Sequence, residues 1–283
     1  MKKIIGLLTV LVVGLTLVAC NSDDNDGDEV VVRIGVAGQF QDQWDAVNAL
    51  LEDEGIRVEL EFFTDWNIIN TALDAGDIDL NAFQNVFFLD NAIETQGYEL
   101  TPLGYTFITP LNVFAGGRAD IEANPERSTL IGYISDGASI GIPADATNGG
   151  RALKVLEAAG LIELDPAVGF LGTEADIVYN PFNITIITAE ANMLPSLLPD
   201  LDAAVINAPQ ALTNDLSPAT DSIFREDAFG LDEMTDALRN VIVARTDEAD
   251  NPIFARIVEA YQTPEVAYVF EHTFNNAFFP AWE

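Results

Sequence analysis

Residues 30–63 read VVVRIGVAGQFQDQWDAVNALLEDEGIRVELEFF. The opening run is β-branched and closes at Gly38, which predicts a buried strand. Trp44, Val47, Leu50 and Leu51 then recur at helical spacing, and Gly55 supplies the stop. IRVELEFF is again β-branched and aromatic, a second strand. Strands alternating with helices imply a largely parallel sheet, with ligands bound at the carboxyl ends of its strands.

The alternation continues outward. DWNIINTALDAGDID predicts a short helix with Asp65 as N-cap and Gly76 as its end. DLNAF is a third strand, NVFFLDNAIETQG a helix closed by Gly97, and LTPLGYTFIT extended. The pattern restarts with the strands LNVFAGG and ASIGIPA, then a helix NGGRALKVLEAAG ending at Gly160. DIVYN and NITIITA are extended, EANMLPSLL reads as a helix interrupted by Pro195, and LDAAVINAP is a strand ending at Asn207 and Pro209. LRNVIVART predicts a last strand, followed by helices over PIFARIVEAYQT and PEVAYVFEHTF. No repeat of fixed period runs through the chain. Breaks between Pro110 and Gly117 and around 217–228 divide it into two α/β lobes, the second inserted in the first. The expected division is a first lobe over 30–112, a second over 113–220, and a return over 221–283 that belongs mainly to the first. A cleft lies between the lobes.

The chain has 283 residues, 49% of them hydrophobic with 17 Phe, enough for a substantial core. It carries 12 Lys and Arg against 46 Asp and Glu, a formal charge of −34. Such a surface repels nucleic acid and anionic membranes, both polyanions. It suits an ordinary acidic exported protein and one exposed to high salt equally well.

The single cysteine, Cys20, allows no intrachain disulfide. Lys2 and Lys3 precede an uncharged run, Ile4 to Val18, of signal-peptide length and short for a membrane span. Leu17-Val18-Ala19-Cys20 resembles a bacterial lipobox. Residues 1–19 are thus expected to be a lipoprotein signal peptide, cleaved so that Cys20 carries lipid. Residues 20–29, with NSDDNDGDE after the cysteine, form an acidic tether. The protein is expected outside the cytoplasm, held at a membrane by that lipid.

Nothing in the chain points to catalysis. The one histidine, His272, lies in a late helical stretch, and no Gly-x-Ser-x-Gly elbow is present. No Cys or His cluster suits zinc and no phosphate loop occurs, so neither metal nor cofactor is expected.

Several stretches together resemble one family: GDIDLNAFQ (76–84), TNGGRAL (147–153), AAVINAP (203–209), the lipobox at Cys20, FFTDWNIINTAL (62–73) and, loosely, AFFPAW (277–282). This is the methionine-binding lipoprotein family, the NlpA-type substrate-binding proteins of bacterial ABC importers. The resemblance implies an α/β, two-lobed, periplasmic-binding-protein-like fold of the second type. It also implies delivery of an amino acid to a permease driven by a separate ATPase. The same fold also serves a second reading, a surface lipoprotein used as an interaction or adhesion module.

A free amino acid presents a carboxylate, an ammonium and a side chain, and burying either charge unpaired is costly. By spacing alone Arg151 reads as an ion-pair residue among many carboxylates. The resemblance makes it the carboxylate grip, assisted by Thr147, Asn148 and Gly149 at a helix N-terminus, with Gly149 and Gly150 letting ligand approach the backbone. Asn207 matches the family's binding asparagine and would accept from the ammonium; without the match it is a turn residue before Pro209. Asn148 adds a side-chain contact or a cap. The family has tyrosines where Trp66 and Phe88 stand, a phenylalanine at Phe83 and a histidine at Asn85. This chain keeps Phe83 and departs at the other three, replacing an imidazole and two phenols by a carboxamide, an indole and a phenyl ring. That opens the site to methionine, to another apolar amino acid or to a short peptide with an apolar residue. Core packing is the competing role for these aromatics.

Overall fold

The computed structural model describes residues 29–230, 233–274 and 277–282. The signal expected over 1–19, the lipidation site Cys20 and all of the tether but Glu29 lie outside them.

β1 (Val30–Ala37), α1 (Gln43–Leu51) and β2 (Ile56–Phe63) form the expected unit, with β1 and β2 parallel. Val32, Ile34 and Val36 of β1 share one face and are buried in a core with Trp44, Val47 and Ile257, whereas β2 at the sheet edge leaves Phe62 exposed. Gly55 adopts a left-handed φ of 66°, the conformation that lets the chain reverse into β2. A single-turn helix at Trp66–Ile68 leads into α2 (Ile69–Asp74); the Asp65 side chain accepts from Asn67 N–H at its start. β3 (Leu80–Asn85) passes directly into α3 (Val86–Gln96), then β4 (Leu100–Tyr105) and β5 (Phe107–Ile108).

The chain crosses to the second lobe at β6 (Asn112–Ala115). There follow β7 (Ser139–Pro143), α4 (Ala146–Ala158), the small antiparallel pair β8 (Glu163–Leu164) and β9 (Ile177–Tyr179), and β10 (Thr185–Ala189). α5 (Leu194–Leu197), β11 (Ala203–Ile206), α6 (Ala208–Thr213) and β12 (Ser222–Arg225) complete the lobe. α7 (Glu233–Ala237), β13 (Asn240–Arg245), α8 (Pro252–Tyr261), α9 (Pro264–Thr273) and β14 (Phe279–Pro280) belong to the return. β14 pairs with β5, so the C-terminal aromatic segment pins the first crossover.

Two five-stranded sheets result, ordered β2-β1-β3-β13-β4 and β10-β7-β11-β6-β12. Both are buried on both faces. In β13, Val241 and Val243 pack with Ile69, Leu73 and Leu89, while Ile242 and Ala244 pack with Val47 and Ile257. In β11, Ala203 and Val205 face one core and Ala204 and Ile206 another. These opposite-face pairs follow from the two-residue side-chain period of a strand.

The structure corrects four expectations. Each sheet is mixed: β13 runs antiparallel to β3 and β4, and β6 antiparallel to β11 and β12, because those strands enter by crossovers. The second sheet also extends past the expected limits of 113–220. β6 begins at Asn112 and β12 at Ser222, so the return starts after Arg225, not at 221. Pro195 does not interrupt a helix; it occupies the first turn of α5, where no backbone donor is needed. Gly149 and Gly150, expected beside a ligand, pack closely against the backbone of their own lobe. A Cβ on Gly150 would lie 2.2 Å from the Phe170 carbonyl oxygen, and one on Gly149 2.7 Å from that of Pro143, so both glycines let α4 pack inside its own lobe.

Candidate functional site

β1, β3, β7 and β11 all point their carboxyl ends at the gap between the lobes, and the residues that follow them line one cavity there. Trp66, Phe83, Asn85, Phe88, Asn148, Arg151 and Asn207, all singled out in the sequence, lie on its wall. Thr147 and Gly149 do not. The cavity measures about 50 Å³, room for a few waters. The lobes also touch at the surface, where Asn67 donates to Glu190 (3.2 Å) and Asn192 to the Thr64 carbonyl (3.1 Å). Gly38, with φ of 79°, brings the β1 turn against Pro209, which a Cβ there would approach to 3.2 Å.

The first lobe supplies rings. Phe83 on β3 and Phe88 on α3 meet edge to face with centroids 5.8 Å apart, and Trp66 joins the same half-buried cluster. Behind them Asn70, Asn81 and Gln84 form a buried carboxamide network. Asn70 Nδ2 donates to Gln84 Oε1 (2.8 Å), and Asn81 Nδ2 and Gln84 Nε2 both donate to Asn70 Oδ1 (2.9 and 2.6 Å). That network fixes α2 against β3 and with it the aromatic wall. Asn85 is the N-cap of α3, its Oδ1 accepting from Phe88 N–H at 2.8 Å.

The second lobe supplies directional polar groups. Asp145, not Asn148, caps α4: its Oδ1 accepts from Asn148 N–H (2.9 Å) and from the Thr147 hydroxyl (3.0 Å). A carboxylate of the protein therefore already occupies the helix N-terminus that was expected to cradle a ligand carboxylate. Asn148 Nδ2 donates to the same carboxylate (3.0 Å), leaving Asn148 Oδ1 to accept from Asn207 Nδ2 at 2.8 Å. The chain of amides allows Asn207 one orientation. Its Oδ1 is buried without a partner among the described residues, an acceptor awaiting a donor.

Arg151 is 3% exposed and forms a buried ion pair. Its Nε donates to Glu226 Oε1 (2.8 Å), and its Nη2 to Glu226 Oε2 (2.5 Å) and the Thr109 carbonyl (2.8 Å). The expected two-armed grip on a ligand carboxylate is thus unavailable along that edge. Nη1 alone has no partner among the described residues.

Sequence reasoning missed Phe40, Gln84, Thr109 and Asn240 on the wall, and Glu226 behind it. Asn240, 5% exposed, could have been found: like Asn207, it is a carboxamide flanking a continuously apolar strand. Glu226 had no such signal among 46 acids. His272 is exposed and stacks on Tyr268 at 3.8 Å, apart from the cavity.

A model of the NlpA lipoprotein family matches residues 32–282. The D-methionine-binding lipoprotein MetQ of Salmonella typhimurium is 36% identical over 282 residues, covering 99% of this chain and 98% of the relative. The substrate-binding protein of a methionine transporter from Streptococcus pneumoniae superposes with a TM-score of 0.80 at 32% identity, covering 89% of this chain and 96% of that one. A nutrient-binding protein from Burkholderia cenocepacia bound to methionine gives 0.78 at 32% identity, covering 89% and 100%. The fold is therefore the two-lobed, periplasmic-binding-protein-like α/β fold that the resemblance implied. These relatives are binding proteins, and the chain likewise is not an enzyme.

Proposed function

The chain belongs to the NlpA lipoprotein family, and from that premise we propose that it is the extracytoplasmic substrate-binding lipoprotein of an ABC importer. It closes its lobes on one free amino acid and delivers it to a permease powered by a separate ATPase. One observation carries this reading: the same inter-lobe cavity offers a donor for a carboxylate, an orphaned acceptor for an ammonium, and an aromatic wall. Arg151 Nη1 takes the carboxylate, Asn207 Oδ1 takes the ammonium with Asn240 beside it, and Trp66, Phe83 and Phe88 take the side chain. Because these rings carry no phenol and Asn85 replaces an imidazole, the preferred ligand is an apolar amino acid, methionine among them.

The small cavity and the bonds between the lobes support a reading in which the lobes part to admit ligand and close again over it. Lipid on Cys20 holds the protein at the membrane. Among the described residues no helix is long and apolar enough to cross one. The acidic surface disfavours nucleic acid as a partner.

Mass spectrometry of what the denatured protein releases, with calorimetry against a panel of free amino acids, tests the ligand. Methionine or another apolar amino acid should be released and should rebind; if no free amino acid binds, the reading is wrong. Cys20→Ser should release the protein from membranes, and retention as firm as that of the wild type would sink the anchor.

A further inference from the structure

Glu226 lies one residue past β12, where the chain turns back toward the first lobe, and is 7% exposed. A carboxylate so buried needs partners, and it has three. Oε1 accepts from Arg151 Nε (2.8 Å); Oε2 accepts from Arg151 Nη2 (2.5 Å) and from the Leu111 N–H (2.8 Å). Its own backbone N–H donates to the Leu111 carbonyl at 3.0 Å. Leu111 and Thr109 belong to the first crossover, and Arg151 Nη2 also donates to the Thr109 carbonyl. The guanidinium is therefore the node at which α4 and both crossovers meet.

A guanidinium has five N–H groups in one plane. Three are engaged by Glu226 and Thr109, and the remaining two sit on Nη1 of a side chain that lines the cavity. We propose that Glu226 is a positioning residue for ligand binding. Its two-point pairing locks the guanidinium plane so that the Nη1 edge alone is presented to the ligand, and it ties that presentation to the two crossovers on which the lobes move. The proposal rests on the amino-acid reading of the cavity given above. A role in stability alone explains the pair poorly, since an apolar pair of the same volume serves a fold as well or better. Orientation is what the pair supplies and an apolar pair does not. A long side chain fixed before binding has less freedom to lose when ligand arrives. The pairing also sets the charge of the site. Glu226 balances Arg151, which suits a zwitterion better than a ligand with a net negative charge.

Two variants separate position from charge. Glu226→Asp keeps the charge but draws it back by one methylene, and Glu226→Gln keeps the shape but removes the charge. The reference is Arg151→Met with Glu226→Gln, which leaves no buried charge unpaired. The probes are L-methionine and L-leucine, titrated by calorimetry against the full-length chain, with a melt of each unliganded protein. Both single variants are expected to lose about tenfold or more in affinity and to approach the double variant. A merely structural Glu226 would lower the melts and leave affinity within about twofold of the wild type, which overturns the proposal. Tighter binding by Glu226→Gln also overturns it, because Glu226 would then be competing for Arg151 rather than presenting it. If the wild type binds no amino acid of a full panel, the amino-acid reading fails and this inference with it. Wild-type binding unchanged in the variants sinks the inference and leaves that reading standing.

Discussion

Across the cavity Trp66, Phe83 and Phe88 of the first lobe face Asn148, Arg151 and Asn207 of the second. The rings hold one another by packing, with no bond that a neighbour depends on. The polar side chains are links in chains: Asp145 to Asn148 to Asn207, and Thr109 and Glu226 to Arg151. A substitution among the rings changes shape and little else, whereas one in the polar chains strands a buried partner. The first wall can therefore vary with the ligand's side chain, while the second reads the backbone charges that every free amino acid shares.

Arg151→Ala should break the polar wall most severely. It leaves Glu226 buried without its cation, which costs about 3–5 kcal/mol of stability. The same change removes a ligand contact worth about 2–5 kcal/mol, a loss of roughly 30-fold to several thousand-fold in affinity. A melt of the unliganded protein and a titration measure the two separately. An unchanged melt would show that Glu226 has another way to be satisfied.

Asn207→Ala should act on folding less than Arg151→Ala does, because it strands only the neutral acceptor Asn148 Oδ1, at a cost of about 1–3 kcal/mol, while it removes the acceptor proposed for the ammonium. A hydrogen bond to a charged group is worth about 1.5–3 kcal/mol, so affinity should fall by roughly 10- to 150-fold. Calorimetry checks this, and an unaltered constant would move the ammonium contact to Asn240.

On the aromatic wall Trp66→Ala should cost about 1–2 kcal/mol with apolar ligands through lost contact area alone. In the wild type at least one of Leu, Ile, Val and Phe should bind comparably to methionine. A strong preference for methionine over all four would show that the departures at Trp66, Asn85 and Phe88 do not set the choice.

The smallest effect concerns acid. Burial pushes the Glu157 carboxyl up, but the Leu164 N–H and the Lys154 ammonium together outweigh it and hold the group below its ordinary 4.5. The Thr173 N–H and hydroxyl hold Asp176 below its ordinary 3.8. A carboxyl lowered on folding adds stability above its unfolded value and loses it as pH falls through the folded one. Both groups lie in the second lobe, so that lobe should weaken as pH drops below about 4.5. Melts across that range should fall less steeply for Glu157→Gln; parallel curves would assign the acid response to other carboxyls.

Periodicity and glycine stops made the elements of the first lobe legible, because β1, α1 and β2 are each decided by residues a few positions apart. α6 and β12 escaped. Asn207 and Pro209 read as the end of a strand, yet Pro209 sits in the first turn of α6, and SIFR is too short to stand out beside a loop. All seven residues picked out through the family motifs line one cavity, but no motif in the chain indicated which hydrogen bonds those side chains already make.

By itself the sequence determined the alternating strands and helices of the first lobe, that the surface is acidic, and that Asn148, Arg151 and Asn207 stand just beyond or within elements next to predicted strand ends. Local forces suffice there: apolar spacing, capping and left-handed stops act within a few residues. Only the tertiary structure decided that β13 runs antiparallel inside the first sheet, that Asp145 fills the start of α4, and that Arg151 belongs to Glu226. The last partners are 75 positions apart, and on charge alone all 46 acids are equal candidates. Coulomb attraction does not discriminate among like carboxylates; burial does, because only the one brought next to Arg151 by the crossovers escapes the cost of losing water.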